Sequence, residues 1–279
     1  MYQSHWGLRE SPFRGLVDPK FFYQSPMHEE ALARLQFLVE QRRRLGLLIG
    51  PPGSGKSLLL EVFAAQLRRR GGPVAKLSLL GVEPAEMLWL LAAGWGLSLA
   101  PTQSLPALWR AITDRLIEYR YQRLEAVAIL DDADGADAAV LQHVARLARF
   151  DPSPETPLSI VLAGRNEGMS RLDSRLLDLA ELRIDLEPWE AADTADFLNT
   201  LLAQAGRQSP VFAKPAVARL HELSHGIPRR AAQLADLALL AGAGQELEQI
   251  DAEVVEGVYR ELGGSEPAGW QPLTGHLSS

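Results

Sequence analysis

The chain has 279 residues, 47% hydrophobic and 23% charged, with a formal net charge of −7. That composition belongs to a folded globular protein and excludes both a disordered chain and a generally basic nucleic-acid binder. It has no cysteine, which excludes disulfides, thiolate catalysis and cysteine-ligated zinc.

Residues 1–27 carry Trp6, Phe13, Phe21, Phe22 and Tyr23 among prolines and read as an irregular packing arm. The start lacks a basic segment followed by an apolar core, so it is not read as a secretion leader. Residues 28–40 place Ala31, Leu32, Leu35, Leu38 and Val39 at helical spacing. LGLLIG, 45–50, reads as a buried strand and 58–70 as a helix. Strands at 74–80, 127–130, 158–163 and 182–186 then alternate with helices at 84–92, 105–121, 138–150 and 172–179. Such alternation predicts an α/β fold with a parallel sheet covered on both faces. From Trp189 onward only helical periodicity remains, at 190–205, 214–224, 228–242 and 251–262. The expected organisation is an α/β base domain over 1–187 (its arm 1–27), a helical lid domain over 188–262 and a loose tail over 263–279. The longest mostly apolar run, Met87 to Ala100, is too short to span a bilayer. A cytoplasmic protein without direct membrane insertion is expected.

GPPGSGKS, Gly50 to Ser57, fits G-x-x-x-x-G-K-[ST] between a predicted strand and a predicted helix. The glycines let successive backbone N–H groups turn inward onto phosphate oxygens, and the following helix adds its positive end. Gly50, Pro51, Pro52, Gly53, Ser54, Gly55, Lys56, Ser57 and Leu58 are therefore the candidate cradle for ATP. Lys56 is suited to the β- and γ-phosphates and the Ser57 hydroxyl to Mg²⁺. The second metal ligand is sought at the carboxyl end of another strand. VAILDD, 127–132, supplies Asp131 there and Asp132 after it.

The chain resembles the AAA+ ATPases of the general secretion pathway A type (ExeA-like), and is similar to the transposition-regulator ATPases (TnsC-like). WGLRESPF and DPKFFYQSPMHEEALARL carry the resemblance at one end and SHGIPRRAAQLADLALL at the other. It implies a P-loop NTPase base with a small all-helical lid, and ATP with Mg²⁺ as cofactors. It implies that Arg229, in GIPR, touches the γ-phosphate from the lid. It implies that a polar residue leaving the strand IVLAGRNE orients the attacking water; Arg165 and Asn166 both fit that place. It also implies that His28 and the arm near Tyr23 lie against the adenine, although plain packing accounts for that arm equally well.

Two departures accompany the resemblance. The usual Asp-Glu after the third strand is Asp131-Asp132 here. Asp is one methylene shorter than Glu, so its oxygens retreat by about 1 Å, a shift that costs about 100-fold in rate. The usual Gln-Arg before the last strand falls on Asp178 and Leu179, leaving Arg171, Arg175 or Arg183 to serve a neighbouring subunit. ATP binding with slow hydrolysis is the expectation, with self-association into a ring or filament. The partner is expected to be a membrane or secretion-machinery protein. The clusters Arg42–Arg44 and Arg68–Arg70 keep duplex DNA open as a second partner, although basic residues also suit helix C-termini. A third reading is an ATP-bound scaffold with vestigial hydrolysis.

Other chemistries find little support. His221 and His225 spell H-E-x-x-H, but no third ligand accompanies them and they abut GIPR. The match is read as chance on a lid helix. Trp89 and Trp95 read as core packing.

Overall fold

The structure is a computed structural model. It describes residues 2–13, 19, 22–150, 158–169, 172 and 174–263, with the side chains of Ser174 and Arg175 left aside. Phe21 of the arm, Arg171, the Arg175 side chain and the tail from 264 lie outside the described residues.

In chain order the elements are α1 (Tyr2–Trp6), α2 (Pro26–Glu40), β1 (Leu45–Ile49), α3 (Lys56–Arg69), β2 (Val74–Ser78), α4 (Pro84–Gly94) and α5 (Leu105–Gln122). They continue with β3 (Ala126–Asp131), α6 (Ala138–Ala148), β4 (Leu158–Gly164), α7 (Asn166–Met169), α8 (Ser174–Leu177) and β5 (Leu182–Asp185). The last four helices are α9 (Ala191–Gln204), α10 (Lys214–Ser224), α11 (Pro228–Gly244) and α12 (Ala252–Glu261). A single 3₁₀ turn, Ala133–Gly135, follows β3. The chain divides into two compact units, Gly15–Pro188 and Met1–Arg14 with Trp189–Ser279.

The first unit is an α/β layer. Its five strands are parallel in the order β2-β3-β4-β1-β5. Parallel strands need both faces covered, and the alternation of side chains shows how. Leu47, Ala128, Leu130, Ile160 and Leu162 face one core with Met87, Leu91, Ile112 and Val144 of α4, α5 and α6. Leu48, Val127, Ile129, Val161 and Ala163 face the other with Leu35, Leu38, Leu60 and Phe63 of α2 and α3. Each of the large side chains among these, when fully buried, contributes about 1.5–3 kcal/mol from leaving water. The two tryptophans belong to this packing: Trp95 is buried, and the Trp89 indole donates to Leu99 O at 2.9 Å.

The order β3-β4-β1 matters for function. It brings the exits of three strands side by side, with β4 in the middle.

The second unit packs α9–α12 around buried residues such as Leu198, Leu220, Ala235 and Val255. Its residues 2–13 depart from the expectation, which grouped all of 1–27 with the α/β unit. Trp6 is buried, and its indole donates to Leu239 O of α11 at 2.8 Å. Gly242 leaves room for that ring: a Cβ there would sit 3.0 Å from Trp6 Cζ2. The Arg9 N–H donates to Ala205 O at 2.8 Å. The buried Trp6, with its N–H satisfied, is joined by Tyr2, whose hydroxyl donates to Asp236 Oδ1, in fixing this segment onto α11. Among the described residues no helix is long and apolar enough to cross a membrane.

Candidate functional site

β1 ends at Ile49, and the loop Gly50–Gly55 turns back before α3 begins at Lys56. Two glycines of the loop have left-handed φ, Gly53 at +84° and Gly55 at +93°. At Gly55 a side chain is excluded twice. The φ is strained for an L residue, and a Cβ would come 3.0 Å from His28 Nε2.

His28 lies directly behind this loop. It is buried in the first turn of α2, with Nε2 3.1 Å from Ser54 O and Nδ1 2.9 Å from Ser25 Oγ. A carbonyl only accepts, so Nε2 carries the proton and donates to it. In the neutral ring Nδ1 then accepts from the Ser25 hydroxyl, while Ser25 Oγ caps α2 by accepting the His28 N–H at 3.3 Å. The resemblance pointed His28 toward the adenine; its observed contact is with the back of the phosphate loop.

The Lys56 ammonium donates to Gly50 O at 2.8 Å and Pro51 O at 2.9 Å. Burial pushes its pKa below the usual lysine value, while the carboxylates of Asp131, Asp134 and Asp132, in that order, pull it back up. Ser57 is exposed in the first turn of α3, and Ser54 is buried with no partner for its Oγ among the described residues.

Asp131 closes β3 and is buried. Its Oδ1 accepts the Asp132 N–H at 2.9 Å. Asp132 takes a left-handed backbone, φ +55°, unusual for a residue with a side chain. Its Oδ2 accepts a hydrogen bond from Ser78 Oγ at 2.7 Å. Ser78 lies opposite Asp131 in the β2–β3 pairing. Sequence reading passed over Ser78, whose alignment with Asp131 exists only once β2 and β3 pair.

It also passed over Asp134. This side chain, in the 3₁₀ turn after β3, bonds to Arg165 at the exit of β4. A hydroxyl and a buried carboxylate, Ser57 and Asp131, are oxygen donors of the kind Mg²⁺ takes alongside phosphate oxygens and water. No cluster of three or more His, Cys, Asp or Glu that could hold a metal ion occurs among the described residues.

The remaining candidates stand elsewhere. Arg229 is exposed in the first turn of α11 and makes no ion pair among the described residues. Just before it, Gly226 has φ +67°, and a Cβ there would come 2.3 Å from Trp189 O; its own carbonyl accepts the Trp189 N–H at 2.8 Å. The turn that starts Arg229's helix therefore requires glycine. Arg183 is held by Asp185, Nη2 to Oδ1 at 2.8 Å, which raises its pKa further. The H-E-x-x-H match dissolves. His221 Nδ1 is 3.0 Å from Thr194 Oγ1, and His225 lies beyond the helix as the C-cap of α10, with a left-handed φ of +53°.

The basic clusters are largely neutralised. Arg42 pairs with Glu125 at 2.6 Å, Arg43 with Glu181 at 3.3 Å, Arg68 with Glu61 at 3.7 Å and Arg70 with Glu40 at 3.8 Å.

The family model of a AAA domain matches residues 39–172. General secretion pathway protein A of Aeromonas hydrophila is 28% identical over 276 residues, covering 97% of this chain. The chain spans about half the length of that relative, 50% of it. Among solved structures, Cdc6p from Pyrobaculum aerophilum aligns with a TM-score of 0.70 at 17% identity, over 88% of this chain and 70% of its own. The Aeropyrum pernix ORC1 protein, solved in complex with DNA, aligns at 0.65 and 21%, over 88% and 68%. The Thermotoga maritima RuvB Holliday junction branch migration motor aligns at 0.57 and 16%, over 84% and 69%. The chain therefore has the α/β P-loop NTPase fold, and its residues 39–172 are similar to an AAA domain.

Proposed function

We propose that the protein binds ATP with Mg²⁺ and hydrolyses it slowly, and that nucleotide state switches the conformation of its helical unit in the service of a secretion or pilus assembly machine. The observation that carries this reading is the phosphate loop itself. Lys56 rests on the loop's own carbonyls, at the end of the sheet where the Asp131 carboxylate emerges. In this reading Gly50 to Leu58 hold the nucleotide, Ser57 and Asp131 hold the metal, and Arg229 reports on the third phosphate. The metal would neutralise charge on the phosphates during transfer.

Slow turnover has two supports. Asp132 is a methylene short of the usual glutamate. Its carboxylate is also engaged by Ser78 at 2.7 Å. The protein partner is supported by the likeness to general secretion pathway protein A. The alternative, an ATP-gated DNA-binding regulator of the transposition type, loses ground because Arg42, Arg43, Arg68 and Arg70 face carboxylates. A ring or filament of copies is part of the proposal, as is a membrane-bound partner.

Phosphate release by the wild type, Asp132→Glu and Lys56→Ala, each with and without duplex DNA, tests the proposal. Asp132→Glu is expected to run about 10–100-fold faster. Lys56→Ala is expected to lose ATP binding and at least about 1000-fold in turnover. An Asp132→Glu variant no faster than wild type removes the explanation of slow turnover. Unchanged ATP affinity in Lys56→Ala removes the phosphate loop from the reading. Salt-sensitive DNA binding that appears only with ATP would favour the regulator.

A further inference from the structure

α5 and α6 flank an open groove of about 720 Å³ on the α/β unit, closed at one side by Leu176 of α8. A space of that order takes large side chains or a small ligand. None of the described residues that line it belongs to the phosphate loop, to the exit of β3 or to α11.

The floor is apolar. α6 buries Val140, Val144 and Leu147 in the core of the unit, which is the one apolar stripe an amphipathic helix needs. It carries a second stripe, Ala138, Leu141 and Ala145, at spacings of three and four, and this one lines the groove. Leu141, Ala145 and Phe150 are only partly buried, so carbon surface is left facing the opening.

The rim is basic. Arg146 and Arg149 line the groove and no Asp or Glu does among the described residues, in a chain whose net charge is −7. The Arg146 guanidinium lies 4.1 Å from the centre of the Trp109 ring and makes no ion pair among the described residues. Stacking engages the flat face of a guanidinium and leaves the N–H groups in its plane for an acceptor. Trp109 is fixed in turn: it is buried, and its Nε1 donates to His143 Nδ1 at 3.1 Å. His143 can accept because its ring is neutral; burial and the neighbouring Arg146 charge hold its pKa below the usual histidine value. The cation at the rim is therefore aimed before anything binds, which lowers the entropy lost on docking.

We propose that the groove between α5 and α6 docks an acidic peptide segment of a partner protein, with an aliphatic or aromatic side chain on Leu141, Ala145 and Phe150 and a carboxylate on Arg146. Charge complementarity selects this occupant: carbon fills the floor, and a carboxylate matches the fork of the guanidinium. Nucleic acid suits the groove less. The aromatic face that would stack a base is covered by Arg146, and an aliphatic floor offers nothing to a row of phosphates. No residue of the nucleotide reading takes part, so either proposal can fail alone.

The test uses the full chain. Short peptides are selected on it from a phage-displayed library, and the enriched ones are labelled and titrated by fluorescence polarisation. They are expected to carry Asp or Glu close to Leu, Phe or Trp. Arg146→Ala is expected to weaken them about 10–100-fold, the worth of hydrogen bonds to a charged group. Ala145→Arg is expected to weaken them about tenfold or more by filling the floor. If Ala145→Arg unfolds early in urea, Gln142→Arg on the same rim takes its place. Arg110→Ala, on α5 but outside the groove, is expected to change affinity by no more than about twofold, as is any of these variants for MgATP. Arg146→Glu is expected to reject the acidic peptide and to accept its Lys-substituted counterpart. Enrichment of no peptide, or of basic ones, overturns the proposal, as does an acidic peptide indifferent to Arg146→Ala and Ala145→Arg. An oligonucleotide that displaces the peptide, with affinity falling steeply in salt, gives the groove to nucleic acid and also overturns it. Self-association that the peptide blocks and Ala145→Arg abolishes makes a second copy the occupant and overturns the assignment of a separate partner.

Discussion

In the α/β unit, acidic side chains collect where strands end. Asp131, Asp132 and Asp134 all act on the single ammonium of Lys56, and the Arg165 guanidinium opposes them. In the helical unit the buried charges face each other instead. Arg219 and Glu256 are almost fully covered, 3.0 Å apart, with Glu222 2.9 Å from the same guanidinium and Arg260 3.5 Å from the same carboxylate. One unit leaves acids in excess at an open edge, and the other closes its charges into a chain across α10 and α12. Carboxylates at strand ends beside a lysine are where the proposal places the Mg²⁺ that accompanies ATP. A closed buried pair marks a place where two helices are held in register.

The comparison can be broken from the structural side first, where the largest effect is expected. Removing one partner of a buried ion pair leaves the other charge uncompensated, which costs about 3–5 kcal/mol. Glu256→Ala is expected to destabilise the chain by that amount in urea unfolding, and Glu256→Gln by less. If Glu256→Ala unfolds like the wild type, the charges of the helical unit are ornamental and the contrast with the α/β unit disappears. The counterpart in the α/β unit is His28→Ala. It takes away the donor behind the phosphate loop and strips Ser54 O of its bond, at about 1–3 kcal/mol for a buried acceptor left unsatisfied. The expected outcome is MgATP affinity about tenfold weaker by calorimetry, with unfolding changed by no more than that range. Unchanged affinity would make His28 a packing residue with no hold on the loop.

What the sequence disclosed follows the same division. The phosphate loop was legible because its chemistry is local: glycines where the backbone turns inward, lysine and serine at the helix start, a strand before it. Asp131 was legible because an apolar run ending in an acid marks the end of a buried strand. The even spacing of apolar residues likewise gave each strand and long helix to within a few positions. Asp134 was not legible. In DDADGAD it looks like any turn-forming aspartate, and its partner Arg165 is reached only after β3 and β4 pair. Ser78 was hidden for the same reason, across β2 and β3. The helix α1 is five residues long, too short to show a period, and it is held by distant partners, the Trp6 indole on Leu239 O and the Tyr2 hydroxyl on Asp236. The helix read at 214–224 coincides with α10, which ends where His225 turns left-handed just before Gly226.

The smallest effect is the most specific to the site. Ser78 Oγ donates to Asp132 Oδ2 and also accepts the Leu80 N–H at 3.2 Å. The serine therefore ties the exit of β2 to Asp132, which in the proposed mechanism stands where the usual glutamate would position and activate the attacking water. A carboxylate that is accepting a hydrogen bond is a weaker base and is held in one direction. Ser78→Ala removes that tie and leaves the length of Asp132 unchanged. Turnover is expected to rise about two- to threefold, since an exposed hydrogen bond lies at the low end of the usual range, about 0.5 kcal/mol. Asp132→Glu acts on reach, whereas Ser78→Ala acts on restraint, so the two gains are expected to combine in the double variant only if both explanations of slow turnover hold. A Ser78→Ala variant slower than wild type would mean that the serine positions the base rather than restrains it. The acids of this unit would then be as fully organised as the buried pair of the helical one.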